Sequence, residues 1–143
     1  MLRRPTIIEM RQHVLQLCEG RDIVHSWCRR PSQAWGSVEA EEICIAPVRS
    51  AISYATALHE IGHVLGRHQR SFDVMVRERW AWNWARANAL IWTPAMEQCA
   101  RHSLAWYATK CDLVAQMPKL DDGIEFDGAD MFVVRHDKRI CQA

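Results

Sequence analysis

The stretch that decides the reading is Ser50 to Arg67, SAISYATALHEIGHVLGR. Ile52, Tyr54, Leu58, Ile61 and Leu65 recur at helical spacing, and the polar residues His68 to Ser71 follow, so a helix is expected over about 50–67. Embedded in it is His59-Glu60-Ile61-Gly62-His63, an H-E-x-x-H pattern. On a helix, residues i and i+4 share a face, so His59 and His63 can present their imidazoles to one ion. Glu60 is displaced around the helix, where it can take a proton from a water that a divalent metal has acidified. The pattern therefore predicts a Zn²⁺ centre with His59 and His63 as metal ligands and Glu60 as the catalytic base.

A catalytic zinc site needs a third protein ligand and an open position. Glu78 is the first choice, because it opens the next expected helix, from where a packed glutamate completes a His₂Glu set. His68 and Glu97 are the alternatives. His68 nearly extends the motif to the pattern H-E-x-x-H-x-x-G-x-x-H, but it falls one residue early, and position 69 is Gln69.

Working outward, Thr6-Ile-Ile-Glu9 has capping-box spacing and Gly20 stands where a C′ glycine would, so a first helix is expected over about 7–19. Residues 22–28 and 41–46 are short, rich in β-formers and bounded by Pro, Gly and Ser, and are expected as strands with 31–37 as a loop between them. After the motif, helices are expected over about 72–91 and from Thr93-Pro94, an N-cap followed by proline at N1, to about Met117. Ala100, Leu104, Tyr107, Cys111 and Val114 fall on one face of the last helix. Short strand-like runs at 124–126 and 131–135 lie between aspartate–glycine turns. The order predicts a single α+β domain over 1–143; the H-E-x-x-H helix resembles that of the zincins, which implies a small zincin-like unit in which a short sheet packs on the motif helix beside two further long helices.

Composition narrows the functional classes. The 143 residues are 49% hydrophobic and 24% charged, an ordinary globular balance. A formal net charge of +1 removes the long-range field that nucleic-acid binding draws on, and the arginines at 67, 70, 77, 79 and 86 read as charged helix faces. The longest apolar stretch, Trp80 to Met96, is broken by Asn83, Arg86 and Asn88, so no membrane span is expected. Pro5, Glu9 and Arg11 interrupt what could pass for a secretory leader, and a cytoplasmic location is expected. The 6 cysteines form no C-x-x-C pair, and most of them read as small buried hydrophobes. Cys99-x-x-His102 lacks a second pair of ligands. Among the 7 tryptophans, Trp80 and Trp84 share a helical face, and one tryptophan stripe is expected to pack on the motif helix.

Two blocks, LHEIGH (58–63) and the E-x-x-A-x-x-W-A run (78–85), resemble the ImmA/IrrE-type zinc metallopeptidases, a gluzincin-like group encoded by bacteria, phages and mobile elements. The resemblance spans about residues 40–96. It implies a metalloendopeptidase that cleaves a protein such as a repressor or regulator, and a short sheet whose edge strand aligns the substrate beside the motif helix. Glu41 to Ala46 is the natural candidate for that edge. The alternative reading is a catalytically silent module on the same scaffold that captures a host regulator.

Overall fold

The computed structural model describes residues 3–116, and side chains through Asp112. Within them the chain runs α1 (Ile7–Gly20), β1 (Val24–Trp27), β2 (Trp35–Ser37), β3 (Glu42–Ile45), α2 (Ala51–Leu65), α3 (Val74–Asn88) and α4 (Pro94–Gln116), with a 3₁₀ turn at Pro31–Gln33. This is an α+β arrangement of four helices and one three-stranded sheet. The strand-like runs expected at 124–126 and 131–135, and the side chain of Val114, lie outside the described residues. Among the described residues no helix is long and apolar enough to cross a membrane.

Local chemistry sets the helix starts. Glu9 N–H donates to the Thr6 hydroxyl at 3.2 Å while Thr6 N–H donates to the Glu9 carboxylate at 3.0 Å, the reciprocal capping box. Ser50 caps α2 through Ser53 N–H at 3.2 Å, Asp73 caps α3 through Met75 N–H at 2.9 Å, and Thr93 accepts from Met96 N–H at 3.2 Å ahead of Pro94. Gly20 is the last residue of α1 rather than the one beyond it; Arg21 follows as the cap with φ −123°, outside the left-handed region where glycine would be required.

The sheet corrects two expectations. Its order is β1-β3-β2, with β1 parallel and β2 antiparallel to β3. Glu42 to Ile45 is therefore the central strand, its backbone paired on both sides, and cannot accept a further strand. The segment expected as a loop supplies β2, which pairs Trp35 with Cys44, Gly36 with Ile43 and Ser37 with Glu42. A three-residue strand containing glycine is too short to show any alternation in sequence.

Helix α2 is the centre of the molecule. Every residue from Ser53 to Gly62 is buried, because α3 covers one side, β2 and β3 another, and α1 and α4 contribute the rest. A helix apolar nearly all round is stable only when enclosed in this way. Ile43 and Ile45 of β3, Tyr54, Leu58 and Ile61 of α2 and Trp82 of α3 join Val14 and Met96 in one apolar cluster. Tyr54 also ties the layers by hydrogen bonds: its hydroxyl lies 2.6 Å from His13 Nδ1 on α1 and accepts Leu90 N–H at 3.0 Å. Where α2 meets α3 the backbones nearly touch. A Cβ at Gly62 would overlap the Ala81 carbonyl oxygen, so glycine is what permits the close crossing that aligns the two helices.

The structure decides which tryptophans face the motif helix. Trp82, not Trp80 or Trp84, is fully buried against α2, on the face α3 shares among Glu78, Ala81, Trp82 and Ala85. Trp84 and Trp92 pack on the core from its margin, and Trp80 lies under the Gly66–Asp73 turn, beside His68.

Candidate metal centre

The close α2–α3 crossing brings two histidines of one helix against one glutamate of the next. His59 Nε2 lies 2.8 Å from Glu78 Oε2, and His63 Nε2 lies 3.1 Å from Glu78 Oε1. The two rings are 4.5 Å apart between centroids and tilted by 69°, as expected for imidazoles one turn apart that converge on a shared point. Exposure is 0% for His59, 1% for Glu60 and 3% for Glu78, while His63, at 11% of its side chain, is the member nearest solvent.

Glu60 stands on the other side of His59, its Oε1 3.3 Å from the ring's Nδ1. His59 is thus flanked by a carboxylate at each ring nitrogen. Trp82 stacks on the same imidazole at 4.1 Å between centroids and 16° between planes, which fixes the ring's orientation without occupying either nitrogen. The buried indole N–H of Trp82 makes no hydrogen bond.

Electrostatics follow from this geometry. Burial pushes the Glu78 carboxyl upward, but His63 and His59, by charge and by hydrogen bonding, outweigh it and hold the group well below the usual carboxylate range. A buried carboxylate is tolerated only when something positive faces it. Each imidazole can satisfy that need as a protonated ring, or as a neutral ring sharing a cation with the carboxylate through its bare nitrogen.

The donor chemistry fits a divalent ion. His59, Glu60 and His63 offer ligand atoms all within 4.8 Å of one another, a buried group that could hold a metal ion. Glu78 adds a carboxylate oxygen to each Nε2, whereas Glu60 meets His59 through the nitrogen on the opposite side of the ring.

The alternatives to Glu78 are elsewhere. His68 is exposed in the turn after α2, its ring 5.0 Å from that of Trp80. Glu97, on the first turn of α4, is engaged by Arg86, Arg101 and Trp92. Cys99 is buried and His102 exposed on α4, and neither joins the group at the motif.

Two neighbours of the site were not read from the sequence: Trp82, which lies off the face that Trp80 and Trp84 share, and Gln69, a polar residue in a polar turn. Gln69 is only 6% exposed and meets His63 Nδ1 through Oε1 at 2.9 Å. No protein-family model matches the chain, and no curated protein or solved structure matches it either.

Proposed function

We propose that the chain is a zinc-dependent metallopeptidase with a zincin-like active site, in which His59, His63 and Glu78 hold the ion and Glu60 is the general base. The observation that carries this reading is the convergence of two imidazole Nε2 atoms on the two oxygens of one buried carboxylate. Two nitrogens and an oxygen at this spacing suit zinc, and bound zinc would supply Lewis acidity toward water and a substrate carbonyl. Glu60, whose carboxylate lies within 4.8 Å of ligand atoms of both histidines, would take a proton from the water that adds to the carbonyl carbon and pass it to the amine as the C–N bond breaks. Substrate approaches from the side of His63, the most exposed of the four residues.

Strand β2 supports a peptide substrate. Its other edge carries no strand among the described residues, and Gly36 is set against α2 at the motif, where a Cβ would overlap the Glu60 carbonyl oxygen and stand 3.2 Å from His63 Cβ. An extended segment added to that edge would run beside His63. The edge expected from the sequence, β3, is internal, so β2 takes its place in this reading. The resemblance of residues 40–96 to regulator-cleaving peptidases favours a protein segment as the substrate.

The test is zinc content by elemental mass spectrometry, together with cleavage of a random-peptide library by zinc-loaded protein and by Glu60→Gln. One zinc per chain in both, with cleavage by the wild type alone, is the expected result. Equal cleavage by Glu60→Gln would remove Glu60 from the base role. Zinc and no cleavage in either would leave a binding module. A wild type that binds no zinc would end the metallopeptidase reading.

A further inference from the structure

Gln69 is the buried residue of a turn whose neighbours Arg67, His68 and Arg70 are all exposed. A buried amide must be hydrogen-bonded, and here the bonding leaves one orientation. Gln69 Nε2 donates to the carbonyl of Arg67 at 3.1 Å and to that of Arg77 at 2.9 Å. Backbone carbonyls only accept, so the amide nitrogen must face them and Oε1 must face His63. Oε1 in turn only accepts, so the proton between Gln69 and His63 resides on Nδ1. With Nδ1 committed to Gln69, Nε2 is the nitrogen turned to the site, 3.1 Å from Glu78 Oε1; it donates to that carboxylate when protonated and offers its lone pair when an ion takes the proton's place.

The turn is built to deliver this side chain. Gly66 closes α2 where a Cβ would run into the Gly62 carbonyl oxygen and stand 3.2 Å from that of Trp80. His68 has φ 58°, a left-handed conformation that costs a residue with a Cβ about 1 kcal/mol or more. Arg67 and His68 both lie over Trp80, at 6.0 and 5.0 Å. With its neighbours held outside on Trp80, the reversal at His68 turns Gln69 inward. Position 69 is where the extended motif H-E-x-x-H-x-x-G-x-x-H would carry a third histidine; here an amide reaches a ligand instead of the ion.

We propose that Gln69 is a positioning residue that fixes His63 as its Nδ1–H tautomer and so presents Nε2 as a metal-ligating lone pair. The inference rests on the metal centre proposed above, and its test separates the two. Zinc affinity is measured by competition with a chromophoric chelator for the wild type, Gln69→Leu and Gln69→Glu. Both variants lose the donations to Arg67 and Arg77, and glutamate adds a repulsion from those carbonyls, so it loosens the turn at least as much as leucine does; only leucine removes the acceptor facing His63. Gln69→Leu is expected to bind zinc about 10–100-fold more weakly, the usual loss when a ligand's outer partner is removed, with Gln69→Glu within a few-fold of wild type. Equal losses in the two variants, or none in Gln69→Leu, would overturn the positioning role and leave the metal centre standing. Absence of zinc from the wild type would overturn both. Should Gln69→Leu fail to fold, ¹H–¹⁵N correlations of the histidine rings in zinc-free wild type decide the point. A proton on His63 Nδ1 is expected, and a bare Nδ1 overturns the assignment.

Discussion

Glu78 and Glu97 sit on consecutive helices, are both candidates for the third ligand by sequence, and are both held in the ionised form, yet they are opposite kinds of site. Glu97 receives N–H donors from Arg86 at 2.5 and 3.0 Å, Trp92 at 3.0 Å and Arg101 at 3.1 Å, with 28% of its side chain exposed. Glu78 receives only two imidazoles and is 3% exposed. A guanidinium is permanently charged and has no lone pair to give, so the Glu97 cluster is neutralised as it stands and offers an ion nothing. An imidazole can exchange its proton for a bare nitrogen. The Glu78 cluster therefore has lone pairs it can offer to a divalent cation, and the Glu97 cluster has none beyond the carboxylate itself. What distinguishes a metal centre from a structural ion pair here is not the carboxylate but whether its partners can give up their protons.

The strongest way to break this contrast is to neutralise each carboxylate in turn. Glu78→Gln is expected to weaken zinc binding by more than about 100-fold, beyond the usual loss for an outer-sphere partner, while Glu97→Gln leaves it unchanged. Isothermal titration with zinc checks both. A loss with Glu97→Gln and none with Glu78→Gln would reverse the assignment. Next in size is the seam that places Glu78. Gly62→Ala forces a Cβ into the Ala81 carbonyl and must push α3 away from α2, so a stability loss of about 2 kcal/mol is expected in urea unfolding. Zinc affinity should fall with it, because the imidazoles and Glu78 lie on opposite sides of the seam. Wild-type stability in Gly62→Ala would mean the helices are not held as closely as the structure has them.

How much of this was legible in the sequence follows the range of the interactions. Capping residues Thr6 and Thr93 act within one turn, so the starts of α1 and α4 could be read to the residue, whereas Ser50 and Asp73 were not recognised as the caps of α2 and α3. His59 and His63 are related by helix geometry alone, so their shared face could be read too. Glu78 was placed by analogy with a His₂Glu set; its approach to both rings depends on Gly62 and Ala81, a contact between helices that no local pattern encodes. Gln69 and β2 were missed for the same reason. Gln69 looks like any turn residue until the left-handed His68 turns it inward, and Trp35–Ser37 becomes a strand only because β3 lies alongside to pair with it. Which tryptophans meet α2 was left open, because spacing shows which residues share a side of α3 but not which side meets α2.

The smallest expected effect concerns the other half of the comparison, the Glu97 cluster. The hydrogen bonds from Arg86, joined by those from Trp92 and Arg101, outweigh the upward push of burial and lower the Glu97 carboxyl to about 2. A carboxyl whose pKa is lower in the folded than in the unfolded chain stabilises the fold above its unfolded value, near the ordinary 4.5, and loses that contribution as pH falls through about 2. Because the cluster is partly open to solvent, the contribution is about 1 kcal/mol or less. Glu97→Gln should therefore be slightly less stable than wild type in urea unfolding at pH 7. The gap should narrow as pH falls below 4.5 and nearly close by pH 2. Raised salt should shrink it at neutral pH, since the pairs are within reach of screening ions. A gap independent of pH would mean that the carboxylate's shape, rather than its charge, ties α4 to α3. The distinction between a self-neutralised cluster and one that offers lone pairs to a cation would then lose its electrostatic half.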